Sequence, residues 1–220
     1  IANLCDIVSR ALPSQPVVVV SAASKITDML LDAARQAANG TISLRAIEVR
    51  VMGLLSVFGI DGRIIDPELA GLRDALDVIR EARDVSAADF DLVASYGERI
   101  SARGIAAALR NMGIDASAHD AFDLGMITNA EFDGAEPLAE SSDLLRQSIT
   151  GIVSAGKVPV ITGFIGWTID HRVTTLGRGG SDYSAAIIGA AIQADEIEIW
   201  TDVPGVMTAD PRVAPDARTI

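Results

Sequence analysis

The glycine-rich run Thr174-Thr175-Leu176-Gly177-Arg178-Gly179-Gly180-Ser181-Asp182 constrains this chain more than any other stretch. A strand-like apolar run precedes it at 157–165. A small-residue helix follows at 183–193, and a second strand-like run at 196–202. That order predicts a β-loop-α-β unit with its glycines at the carboxyl end of a strand, where α/β folds hold anions. Gly177, Gly179 and Gly180 let the backbone approach a ligand and adopt positive φ without a Cβ clash. Ser181 and Asp182 are N-cap residue types, so the loop is expected to deliver its ligand to a helix N-terminus. Arg178 adds a planar fork able to grip a carboxylate or phosphate through two hydrogen bonds.

Composition narrows the class. The chain has 220 residues, enough for one large α/β domain with a proper core. Apolar residues make up 49% and aromatics only 4%, so the core must be built from Ala, Val, Ile and Leu. Its apolar runs fall well short of the roughly 18 residues that a membrane span needs. No basic-then-apolar leader is visible, and the single cysteine, Cys5, leaves no internal disulfide framework. These features predict a cytoplasmic protein without a membrane partner. A net charge of −12 argues against a nucleic-acid partner, which calls for a basic footprint. The same charge repels a polyanionic ligand, so local cations must compensate wherever one binds. Lys25 and Lys157 are the only lysines.

Along the chain, apolar spacing predicts a helix over 1–12, ended by Pro13 and Pro16, and a buried strand over 17–20. The small-residue loop Ser21–Asp28 then opens a helix at 29–38, which Asn39-Gly40 terminates. Ser21, Ser24 and Thr27 sit where an α/β sheet places its ligands, though ordinary capping explains them as well. Lys25 lies beside that first βα turn, where an ammonium could meet transferring phosphoryl oxygens; a solvated lysine fits the position equally. Residues 41–65 suggest a short helix and a turn, and Asp66-Pro67 opens an amphipathic helix. A long helix is expected over 86–112, with Ser86 or Asp89 as its cap. Gly97 in its middle costs roughly 1 kcal/mol relative to Ala and so calls for a packing or ligand reason. Strands are expected at 114–122 and 126–132, and a helix over 137–155. His119 has no second candidate ligand beside it and reads as structural. No metal site is predicted from the protein's own ligands. The alternation describes one domain over 1–220: an α/β three-layer sandwich with a mostly parallel central sheet.

At this point the chain resembles aspartate kinase of the amino-acid-kinase superfamily. The resemblance is carried by the Thr174–Asp182 string, by Thr162-Gly163-Phe164-Ile165-Gly166 before it, and by Trp200-Thr201-Asp202-Val203-Pro204-Gly205-Val206-Met207-Thr208-Ala209-Asp210-Pro211-Arg212 after it. It spans about Val17 to Arg212. It implies a kinase that moves the γ-phosphoryl of ATP, with Mg²⁺ on the phosphates, to the side-chain carboxylate of L-aspartate. By resemblance, Ser21 and Thr27 belong to the substrate pocket, Gly97-Glu98 supplies the carboxylate for the substrate ammonium, and Arg178 takes the α-carboxylate. Phe164, Gly179, Gly180, Ser181 and Asp182 complete that pocket, with Asp182 and Lys25 as the catalytic candidates. Thr201, Asp202, Met207, Asp210 and Arg212 match the nucleotide side. Met207 stands where the family usually has Tyr; it can cover an adenine face but cannot hydrogen-bond.

The family's Lys-Phe-Gly-Gly motif, a second lysine past the Asp-Pro-Arg loop, and the regulatory domains have no counterpart in these residues. The chain is therefore expected to be a domain incomplete at both ends, binding better than it catalyses, from a longer homo-oligomeric enzyme. A glutamate or N-acetylglutamate kinase, or a non-catalytic sensing subunit, are the alternatives. An acceptor carboxylate is already ionised at neutral pH, so the expected chemistry needs no general base. Positioning and charge stabilisation carry it.

Overall fold

A computed structural model of the chain describes residues 2–200 together with 208, 213, 214, 216 and 218. Three parallel strands form the central sheet in the order β1-β3-β2: β1 (Val18–Val20), β2 (Ala116–His119) and β3 (Val158–Thr162). Every residue of β3 is buried, as expected of a strand with helices on both faces. The period-2 alternation of the strands divides the core. Val18, Val20, Ala116, Val158 and Val160 face a cluster built from α1 (Ala2–Ala11), α2 (Ile26–Ala38), α3 (Arg45–Val57), α4 (Asp66–Ala82) and α5 (Ala87–Asn111). Val17, Val19 and Ile161 face the opposite layer, α6 (Ser141–Ser154) and α7 (Gly180–Ile192). This is the three-layer α/β arrangement expected. The core is aliphatic: Leu30, Leu72 and Leu76 are each fully buried, worth about 1.5–3 kcal/mol apiece.

The 25-residue α5 is the spine of the larger layer. Its start is a capping box in which Ser86 Oγ accepts the Asp89 N–H and the Asp89 carboxylate accepts the Ser86 N–H. Its length is used. It packs on α2, α4, β2 and β3, with Ala102, Ala106 and Ala108 allowing close approach. A buried ion network locks it further: Asp120, at the end of β2, accepts Arg99 Nε at 3.0 Å and both terminal nitrogens of Arg103, and Arg103 Nε reaches Glu68 at 2.8 Å.

Several sequence expectations are corrected. The helix expected at 29–38 begins three residues earlier, at Ile26, and the short helix of 41–65 is the 13-residue α3. Residues 126–132 form no strand, only isolated bridges from Ile127 to Trp167 and from Thr128 to Pro137. The Ser141 hydroxyl and the Asn129 carboxamide take up N–H groups that a ladder would have used. Pro137 therefore belongs to a bridge, and the helix starts at Ser141. The run at 157–165 divides at Gly163-Phe164. Its end becomes β4 (Ile165–Trp167), which pairs antiparallel with β5 (Val173–Thr175), so Thr174 and Thr175 lie in a hairpin strand rather than in the loop. Residues 196–200 are not a strand: Ile197 lies against the bare face of Gly189 on α7. Residues 201 and 202 lie outside the described residues. No helix among the described residues is long and apolar enough to cross a membrane.

Candidate functional site

The carboxyl ends of β1 and β3 and the start of α7 open onto one cleft of about 420 Å³. Ser21, Thr27, Glu98, Phe164, Arg178, Gly179, Gly180, Ser181 and Asp182 all line it, joined by Asp133 and Gly177. Residues from five separate stretches of sequence thus meet at the end of the sheet where α/β folds place ligands.

The glycine-rich wall is built by close approach. A Cβ on Gly180 would lie 2.6 Å from the Phe164 ring, so only glycine lets α7 begin against β4. Phe164, at φ 66°, donates its N–H to Ser184 Oγ at 2.8 Å, and Ser184 Oγ–H donates to the Gly180 carbonyl at 2.7 Å. The N-cap is Gly179, at φ 71°, not Ser181 or Asp182. Those two residues stand in the first turn, where helix N–H groups lack intrahelical partners and the dipole favours negative charge. Thr27 lies in the first turn of α2, so two helix N-termini border the cleft. Arg178 is exposed and makes no ion pair among the described residues.

In the same cleft, Glu98 is only 3% exposed. Its Oε1 accepts the Ala22 N–H at 3.1 Å, and its Oε2 is buried without a partner. Burial pushes its carboxyl up to about 7, against the opposing pull of the Ala22 N–H. A buried carboxylate with an open oxygen at a cleft wall is suited to receive a cation. Gly97 explains why the helix tolerates glycine here: a Cβ would sit 2.8 Å from the Ala22 Cβ, so α5 touches the first βα loop directly.

Lys25 is exposed at the N-cap of α2, at φ 69°, and is not among the residues lining the cleft. Thr201, Asp202, Met207, Asp210 and Arg212 lie outside the described residues. Asp133 was not found from sequence, although the Asp133-Gly134 pair is a turn signal; it holds φ 65° at the cleft rim. A second cavity of about 350 Å³, lined by Phe122, Leu144, Trp167 and His171, lies beside the β4–β5 hairpin.

This fold and cleft define a class, and comparison with known proteins agrees. The family model described as "Amino acid kinase family" matches residues 1–220, and the chain belongs to that family. Within it, the chain is similar to the chloroplastic aspartokinase 2 of Arabidopsis thaliana, at 35% identity over 216 residues. That match covers 94% of this chain and 40% of that protein. An aspartokinase of Rickettsia conorii is 41% identical over 133 residues, covering 60% of this chain and 32% of that protein. Among solved structures, E. coli aspartokinase III in complex with aspartate and ADP matches with a TM-score of 0.79 at 30% identity, covering 98% of this chain and 48% of that one. The chain therefore spans less than half the length of each of these relatives.

Proposed function

We propose that the cleft binds L-aspartate and that the protein carrying it transfers the γ-phosphoryl group of ATP to the aspartate side chain, giving 4-phospho-L-aspartate. The observation that carries this reading is Glu98, a buried carboxylate with one unpartnered oxygen, lining the same cleft as Arg178. An α-amino acid offers an ammonium and a carboxylate on one carbon, and these two side chains are complementary to that pair. Glu98 Oε2 accepts the ammonium, and Arg178 grips the α-carboxylate with two N–H donors. The similarity to aspartokinases, one of them solved with aspartate and ADP, supports aspartate as the amino acid.

The first-turn N–H groups of α7 and α2 suit the oxygens of a phosphoryl group. Ser181 and Asp182 stand in that first turn, where Asp182 orients the reactants. A side-chain carboxylate oxygen forms the new P–O bond as the bond to ADP breaks, with no proton to remove. Mg²⁺ on the ATP phosphates supplies charge neutralisation, and the resemblance assigns the nucleotide side to Thr201, Asp202, Met207, Asp210 and Arg212.

The test is acyl-phosphate formation, trapped as the hydroxamate, with Mg·ATP and L-aspartate, L-glutamate or N-acetyl-L-glutamate. The proposal expects product from aspartate. Product from a glutamate acceptor in preference would overturn it.

A further inference from the structure

One buried carboxylate lies outside the cleft yet touches both of its rims. Asp91, in the second turn of α5, is 3% exposed and has no cationic partner among the described residues. Its Oδ2 accepts the Thr175 N–H at 2.8 Å, and its Oδ1 accepts the Thr175 hydroxyl at 2.8 Å. The Asp133 N–H is shared between the two oxygens at 3.2 and 3.1 Å. Thr175 ends the strand that delivers Gly177 and Arg178. Asp133 stands on the facing turn, held again to β5 by the Ala135 N–H donating to the Thr175 carbonyl at 2.8 Å. The two rims are already close: a Cβ on Gly177 would lie 3.2 Å from the Asp133 carbonyl oxygen.

We propose that Asp91 is a positioning residue for the substrate cleft, its carboxylate clamping Thr175 to Asp133 and so fixing Arg178 at its distance from Glu98. The hydrogen bonds account for the choice of side chain. Thr175 and Asp133 each present a backbone N–H that can only donate, and an acceptor with two oxygens satisfies both while taking the threonine hydroxyl as well. Burial raises the Asp91 carboxyl above its ordinary range, and the Asp133 and Thr175 donors oppose that rise. Asparagine can replace it. Its oxygen takes the two N–H groups and its NH₂ donates to the Thr175 hydroxyl, which also accepts. Alanine leaves the buried Thr175 N–H without its acceptor and releases the Asp133 N–H, so the rims are free to separate.

The test compares Asp91→Ala, Asp91→Asn and Thr175→Val in the protein at its natural length. Amide hydrogen exchange across 130–136 and 174–181 reads the clamp itself. The substrate readout rests on the aspartate reading. Asp91→Ala is expected to speed exchange in both segments while leaving 100–111 protected, and to raise the aspartate KM about tenfold to a hundredfold with the ATP KM little changed. Asp91→Asn is expected to restore most of both. Thr175→Val, which keeps the backbone N–H, gives a smaller rise and guards against an alanine variant that does not fold. Unchanged exchange in Asp91→Ala overturns the proposal. So does faster exchange with an unchanged aspartate KM, or an asparagine variant as impaired as alanine. Faster exchange in a protein whose wild type does not use aspartate leaves the clamp standing and removes the aspartate reading instead.

Discussion

Asp91 and Glu98 lie seven residues apart on α5, two turns along one helix face and about 10 Å apart in rise. Both carboxylates are 3% exposed and both accept backbone N–H groups from cleft loops: Asp91 from Thr175 and Asp133, Glu98 from Ala22. They differ in one respect. Asp91 is fully satisfied, whereas Glu98 keeps one buried oxygen open. A single helix thus sets the geometry of the cleft at one point and holds a buried, unpartnered carboxylate oxygen at the other.

That open charge has a cost in the ligand-free protein. The folded-state carboxyl of Glu98 lies at about 7, above its reference value of 4.5. Protonated Glu98 therefore favours folding: the contribution is full below about pH 4.5 and is lost as pH rises through 7. The shift corresponds to roughly 3 kcal/mol. Glu98→Gln is expected to melt higher than wild type at pH 8, with the gap closing toward pH 5, and to lose aspartate binding. Thermal melts at the two pH values check it; equal differences at both would contradict it.

Gly97→Ala should disturb the same wall from the other side. The new Cβ meets Ala22 at 2.8 Å, so the first βα loop must move and the Ala22–Glu98 hydrogen bond with it. A loss of about 1–3 kcal/mol in stability is expected, together with a weaker affinity for aspartate. Denaturant unfolding and a binding isotherm on one sample measure both.

Arg178→Ala leaves the fold intact, since Arg178 is exposed and unpaired among the described residues. It is expected to raise the aspartate KM at least about tenfold, the loss of one charged hydrogen-bonding partner. An unchanged KM removes Arg178 from the site.

Asp120→Ala is a purely structural counterpart. It leaves Arg99 and Arg103 partly buried beside an empty position, and Glu68 Oε2 is already unpartnered. A destabilisation of about 3–5 kcal/mol is expected by chemical denaturation.

The parts of this architecture that were legible from sequence are those written in local chemistry. The glycine run, the cap at Ser86 and the valine strand expected at 17–20 each carry their own signal, and the nine substrate-side residues assigned from the resemblance do line one cleft. What was not legible depends on long-range pairing. Thr174 and Thr175 join a hairpin only because Ile165–Trp167 lies opposite them, and strands of three residues carry no periodicity to read. The expected strand at 196–202 has the right alternation, but Ile197 settles on Gly189 instead. Asp91 carries no local signal, because its partners lie 42 and 84 residues away. Ser181 and Asp182 have the residue types of a cap, yet Gly179 reaches the left-handed conformation that starts the helix.

The most direct test of an aspartate cradle is equilibrium binding of L-aspartate against succinate, which carries both carboxylates and lacks only the ammonium. Wild type is expected to bind aspartate at least about a hundredfold more tightly, because succinate leaves the Glu98 oxygen buried and unpaired. Glu98→Gln is expected to erase most of that ratio. Equal affinity of the wild-type protein for the two ligands would contradict the account.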